Sequence, residues 1–244
     1  MRIVSPSYRI LTPDFEKVPN AEKIICQKIE TVARTCYQSA DKVMDGSAER
    51  ICKNLIARGH EAMLEHASIS VLFTVDRGIT HEAVRHRMAS FAQESSRYVN
   101  YSKGKFGENV KFVDIKSGAE LDPIYQALPA DKKNAFLDEW FYTCQDAERH
   151  YLRMLEICPS PQLARSALNC STASDLVITA NIREWRHIFK LRAVGTTGKP
   201  HPQMEEIMLD LLRTLANHMP VFFMDLYAEA LKNQSKIEGE KTCS

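Results

Sequence analysis

Apolar residues recur at three- and four-residue spacing over residues 20–39 and 47–58, which predicts two amphipathic helices. Between residues 68 and 75 the period drops to two. Ile69, Val71, Phe73 and Val75 fall on one face, and Ser68, Ser70, Leu72 and Thr74 on the other. Successive strand side chains point to opposite sides, so this run predicts a half-buried strand. After Gly78, the residues Ile79, Ala83 and Val84 supply the apolar side of a short helix, and residues 110–115 read as another strand. A long amphipathic helix is predicted over Ala130–Ile157. Pro159 closes it, and Pro161 opens a further helix with Ser160 at the N-cap. Residues 176–179 fit either a strand or the entry to a helix carrying residues 181–192. AVGTTGKP, residues 193–200, is a loop, and a final helix is predicted over residues 201–231.

Strands set between helices without regular βαβ alternation predict an α+β fold. The expectation is a single domain over residues 1–244, with a central, mainly antiparallel sheet packed by helices. Neither an internal repeat nor a Pro/Gly-rich linker divides it. With 44% hydrophobic and 26% charged residues, the chain can bury a core without disulfides or structural metal. A net charge of +1 provides no global field for nucleic acid or an anionic membrane, so anion binding has to come from a local cluster. The seven cysteines are at 26, 36, 52, 144, 158, 170 and 243, with no CxxC pair, which points to a reducing compartment. No apolar run reaches the length of a membrane span or a signal peptide, so a cytoplasmic, membrane-free protein is expected. The chain also lacks the glycine-rich phosphate loops of Rossmann and P-loop folds.

The most unusual stretch is RHRMASFAQESSRY, residues 85–98, which crowds Arg85, His86, Arg87 and Arg97 among Gln93, Glu94, Ser95 and Ser96. Adjacent cations desolvate poorly and serve packing badly. A phosphate, or a ring that becomes anionic on reduction, would give them a purpose. The competing reading is a solvated basic turn at a helix C-terminus.

Arg85-His86-Arg87, seven residues, then Ser95, extended by Arg97-Tyr98, resembles the signature of the flavin-dependent thymidylate synthases. GHEAMLEH (residues 59–66) and the strand after it resemble the family's GH…EH segment. Ala164-Arg165, NIREWRHIFKLR and HPQ (residues 201–203) are similar to its AR…NLR…LR series and last short motif. The likeness spans roughly residues 30 to 225. It implies reductive methylation of dUMP to dTMP by a homotetramer with shared sites, using FAD, methylenetetrahydrofolate as carbon donor and NADPH as electron donor.

Carried over by position, the resemblance implies FAD contacts from Ala62, Arg85, His86, Arg87, Gln93, Asn181, Ile182, Arg183 and His187, with Asn181, Arg183 and His187 acting from another subunit. It implies dUMP contacts from Glu82, Ala83, Val84, Arg85, Gln93, Glu94, Ser95, Ser96, Arg97, Arg165 and Arg192. Arg192 would lie against the uracil and favour its N3-ionised form, since a guanidinium keeps its charge. Ala62 and Ala92 replace polar residues common at those places, Glu82 stands where Gln is frequent, and the insertion VGTTGK leaves His201 without an assigned role.

No cysteine sits in a recognisable nucleophile setting. Cys170, in LNCST, reads as a small core residue. Ser95 lacks a GxSxG elbow. His86, between two arginines, is expected to stay neutral. Two other classes compete. A zinc hydrolase is suggested by HEAMLEH and HEAVRH, but the second His follows by six and by five residues instead of four. A nucleic-acid-binding module could use Arg183, Arg186, Lys190 and Arg192, but no RRM, KH or helix-turn-helix pattern accompanies them.

Overall fold

Alternating apolar side chains put Ser68–Asp76 into an extended strand in which Ile69, Val71, Phe73 and Val75 are buried and the residues between Ser68 and Val75 on the other face are not. A computed structural model describes residues 1–103 and 109–241. Its strands are β1 (Arg2–Val4), β2 (Ser7–Thr12), β3 (Ser68–Asp76), β4 (Ser90–Gln93), β5 (Lys111–Val113) and β6 (Ala173–Asn181). Its helices are α1 (Ala21–Tyr37), α2 (Ser47–Ala57), α3 (Arg77–Ala83), α4 (Lys116–Ala119), α5 (Pro123–Gln126), α6 (Ala130–Ile157), α7 (Pro161–Ala164), α8 (Ile182–Phe189), α9 (Pro202–His218) and α10 (Pro220–Lys241).

Four strands form an antiparallel sheet in the order β2-β3-β6-β4. Its register is legible in side-chain pairs. Ser70 and Thr179 hydroxyls meet at 2.8 Å, and the Thr74 hydroxyl donates to Asp175 at 2.6 Å, so one number rises by four as the other falls by four. A separate parallel pair joins β1 to β5, with Ile3 opposite Phe112.

The chain divides into two units. The first holds Met1–Tyr8, Leu72–Arg85 and Phe91–Val177. Its core gathers Tyr101, Phe112, Cys144, Tyr151 and Leu155, and the Tyr101 N–H donates to the Tyr151 hydroxyl at 3.3 Å. The second unit holds Arg9–Val71, His86–Ser90 and Ile178–Ser244. There Trp185 stacks on Phe189 with ring centroids 5.6 Å apart, and its indole N–H donates to the Ile69 carbonyl at 3.0 Å.

Side-chain caps open α3 and α8. Asp76 accepts from the Ile79 N–H at 2.7 Å to start α3, and Asn181 accepts from the Glu184 N–H at 2.8 Å to start α8. Both caps are the last residue of a strand, so β3 and β6 feed directly into α3 and α8.

The structure differs from the sequence-based expectation at several elements. The final helix is two helices, because Pro220 cannot continue α9 and Met219 before it leaves the helical region at φ −139°, ψ 59°. The helix expected to reach residue 192 ends as an α-helix at Phe189 and widens into a π-type turn over Lys190–Val194. Ser160 stands at the N-cap of α7 but its side chain makes no capping hydrogen bond. Strands β1, β2 and β4 were not anticipated, and residues 176–179 resolve as part of β6.

Candidate active site

Residues singled out in the sequence fall into two groups, one in each unit. In the first unit, Gln93 Nε2 donates to the hydroxyls of Thr80 at 3.0 Å and Ser174 at 3.3 Å. Glu94 is fixed three times. Its N–H donates to the Asp175 carbonyl at 2.8 Å, and its carboxylate accepts from the Tyr101 hydroxyl at 2.8 Å and from the Asp175 N–H at 3.4 Å. The Ser95 carbonyl accepts from the N–H groups of Tyr98 and Val99, which closes a tight turn. On that turn Ser96 is buried, and its hydroxyl accepts from Arg165 Nη1 at 3.3 Å. Arg97 lies 5.4 Å from the Tyr98 ring centre and is exposed, as are Arg85 and Arg165. The guanidinium groups of Arg85, Arg97 and Arg165, with the Ser96 hydroxyl, form a donor set suited to an anion.

Among the other first-unit residues, Val84 is exposed at the end of α3 and Glu82 is half-buried. Ala83 is packed in the core, so its side chain is closed to a ligand. Tyr101 and Arg77 were missed by the sequence reading. Burial, with Glu94 next to it, pushes the Tyr101 hydroxyl above its ordinary range, and Arg77 Nη2 is buried without a hydrogen-bond partner. Cys170 was expected in the core, but the structure places it exposed in the turn before β6, where its carbonyl accepts the Arg77 N–H at 2.9 Å. The turn needs that carbonyl, and the side chain is left outside.

The second unit carries the tighter constellation. His86 is only 7% exposed. Its Nε2 accepts from Arg192 Nε at 3.2 Å, and its Nδ1 lies 3.7 Å from a Glu184 carboxylate oxygen. The His187 ring stands edge-on at 6.1 Å between centroids. Arg192 itself rides on the wide turn Lys190–Val194. Widened turns of this kind recur at functional sites because they re-aim a side chain. Gly195 ends the turn at φ 75°, and an added Cβ would meet the Gly198 carbonyl at 3.1 Å, so only glycine suits the position.

Burial pushes the His86 imidazole down to about 4, helped by the charges of Arg192 and His187. The expected neutrality stands, but its physical cause is desolvation first and Arg192 second, in place of the neighbouring arginines in sequence. An unfolded His titrates near 6.5, so the unfolded chain takes up this proton first. His86 therefore withdraws stability as pH falls from about 6.5 to about 4, and no more below that. NMR titration of the labelled imidazole should give a midpoint near 4. A midpoint at or above 6.5 would contradict the burial argument.

A cavity of about 440 Å³ opens beside this group, lined by Glu61, Glu65, Met88, Asn181, Arg183, Glu184, His187 and Lys190. Arg183 pairs with Glu65 at 2.6 Å. Ile182 is fully buried and gives its N–H to the Ala67 carbonyl at 2.9 Å, so its side chain does not reach the cavity. Arg87 is exposed. Ala62 sits on the turn Glu61–His66 and lines a smaller apolar cavity of about 280 Å³ with His60, Leu55 and Met63. The same turn carries the HEAMLEH string, and among the described residues no three His, Cys, Asp or Glu side chains gather to hold a metal. Glu184 was not singled out in the sequence. The only signal was its place three residues after an N-cap asparagine, where a glutamate normally closes the cap.

The first unit thus carries an anion-ready donor cluster, and the second a fixed arginine–histidine pair beside a polar cavity. The family described as Thymidylate synthase complementing protein matches residues 17–221. A flavin-dependent thymidylate synthase of Mycobacterium avium (strain 104) is 32% identical over 219 residues, covering 86% of this chain and 82% of its own. One from Corynebacterium aurimucosum is 28% identical over 220 residues, covering 86% and 83%. Among solved structures, the UMP/dUMP methylase PolB from Streptomyces cacaoi, bound with 5-Br dUMP, matches with a TM-score of 0.74 at 21% identity, covering 93% of this chain and 97% of its own. That likeness establishes the fold. The chain belongs to the flavin-dependent thymidylate synthase family, and the protein is a methyltransferase. Among the described residues no helix is long and apolar enough to cross a membrane.

Proposed function

We propose that the protein methylates dUMP to dTMP, with methylenetetrahydrofolate as carbon donor, FAD as resident cofactor and NADPH as electron donor. Homotetramer formation, with each active site drawing residues from several chains, belongs to the same reading. The observation that carries it is the Arg192–His86 pair, a permanent cation aimed by a neutral, buried imidazole.

The cavity wall suits FAD by its chemistry. Arg183, Lys190 and the Asn181 amide can serve diphosphate and ring carbonyls, the Glu61 and Glu65 carboxylates can accept from ribityl and ribose hydroxyls, and exposed Met88 offers an apolar surface. When bound, reduced FAD supplies the hydride. The chain's own groups bind and polarise. Arg165, Ser96 and Arg97 hold the phosphate, and Gln93 with Glu94 fixes the segment that carries Ser96 and Arg97. Arg192 stabilises negative charge developing on the uracil, the step that makes carbon 5 nucleophilic without a thiolate.

The purified protein should bind FAD, turn yellow, and convert dUMP to dTMP when folate and NADPH are added. UMP in parallel tests whether the ribose 2′-hydroxyl is accepted. A Cys170→Ser variant should keep its turnover. Colourless protein that ignores FAD and dUMP would reject the proposal, and loss of turnover in Cys170→Ser would replace Arg192 activation with a thiolate mechanism.

A further inference from the structure

We propose that Glu184 is a positioning residue that holds His86 as its Nδ1–H tautomer and, through it, aims the Arg192 guanidinium. For the reaction itself, the inference rests on the function proposed above. Its structural part does not.

The argument starts at the helix cap. Asn181 caps α8 and accepts the Glu184 N–H at 2.8 Å. A glutamate at that third helical position usually turns back to the cap residue's own N–H. Here the Glu184 side chain is buried at 8% exposure and puts its carboxylate 3.7 Å from His86 Nδ1. That separation exceeds a hydrogen bond, so the contact acts as charge against the N–H dipole. On the other side of the ring, Arg192 Nε–H donates to His86 Nε2 at 3.2 Å. A nitrogen that accepts from a guanidinium carries a lone pair, and a neutral imidazole has one N–H only. The proton therefore sits on Nδ1 and faces Glu184.

Both neighbours select the same tautomer, whereas a histidine side chain in water prefers the proton on Nε2. With that preference restored, Nε2–H would face Arg192 Nε–H, two donors would oppose each other, and the guanidinium would swing away. A histidine's second nitrogen commonly sets what its first can do. In this chain the setting group is a cavity-wall carboxylate, so the aim of Arg192 depends on a residue that need touch no substrate.

The test uses full-length protein with ¹⁵N-labelled histidine, His86 signals being assigned by their absence in His86→Gln. Wild type should show an unprotonated Nε2 and a protonated Nδ1. Glu184→Ala should shift both signals toward a tautomer mixture. It should also lower kcat for dTMP formation on the order of a hundredfold, the cost of a catalytic group misplaced by about 1 Å, without raising KM for dUMP. Glu184→Gln keeps the shape but removes the charge, so it should shift the ¹⁵N pattern in the same direction as Glu184→Ala and lower kcat with it. An unchanged ¹⁵N pattern in a folded Glu184→Ala variant overturns the proposal, and so does an altered pattern with undiminished kcat. The spectra decide the tautomer even if wild type makes no dTMP, so failure of the proposed function would show separately.

Discussion

Arg192→Ala is expected to lower dTMP formation by roughly a hundred- to a thousandfold or more, the cost of removing one fixed donor aimed at charge that develops in the transition state. Arg192 is half-buried on the turn Lys190–Val194, and its Nε is committed to His86. The guanidinium cannot lose its proton at working pH, so its charge is present before the uracil needs it. Lysine should restore little. It brings a point charge on a flexible stem, without a planar fork that can donate to His86 while another edge faces substrate. Binding of FAD should survive, because the cavity wall of Asn181, Arg183, His187 and Lys190 is untouched. A second reading comes from His86. Loss of the Arg192 charge removes one cause of its depressed pKa, so its titration in Arg192→Ala should move up from about 4. Burial remains the larger cause, so the midpoint should stay below 6.5. Undiminished turnover in a folded Arg192→Ala protein would end the assignment.

Periodic parts of the chain were legible because their causes are local. Strand β3 follows from strict alternation, and α6 from its spacing and the proline that stops it, so both boundaries match to within a residue. Strands β1 and β2 carry only short, half-buried patterns, and β1 exists because Ile3 finds Phe112 more than a hundred residues away. Pairing at that distance leaves no mark within a local window. The break between α9 and α10 was written in the sequence as Pro220, but apolar spacing continues across it and hid the signal. The same division runs through the site. Arg85, Ser95, Arg97, Arg165 and Arg192 stand out through strings that resemble a family. Glu184 and Tyr101 do not, because their parts depend on where a side chain turns after the backbone has folded. Glutamate at a third helical position reads as a cap until the structure aims it at His86.

Arg186→Ala is expected to cost about 3 kcal/mol of stability, at the lower end of what breaking a buried ion pair removes. In NIREWRH this residue looks like one more cation of a basic face, yet it is 3% exposed and binds three elements of the second unit together. Its Nη1 and Nη2 grip both Asp225 oxygens on α10 at 2.8 and 2.7 Å, Nη1 also donates to the Phe222 carbonyl, and Nε reaches Glu61 at 3.4 Å. Asp225 is half exposed, so water can take over part of its solvation when the arginine is gone, which sets the lower figure. Burial alone would raise the Asp225 carboxyl, but Arg186 overrides it and holds the group below its ordinary 3.8. A depressed carboxyl contributes stability above its unfolded value and loses it as pH falls through the folded value. The gap between wild type and Arg186→Ala in urea unfolding should therefore be full at neutral pH and narrow below about 3.8. Arg186→Met, which refills the space without the charge, should recover part of the loss. A difference within about 0.5 kcal/mol of wild type, the ordinary effect of a surface change, would show that this network does not hold the Glu61 turn, α8 and α10 together.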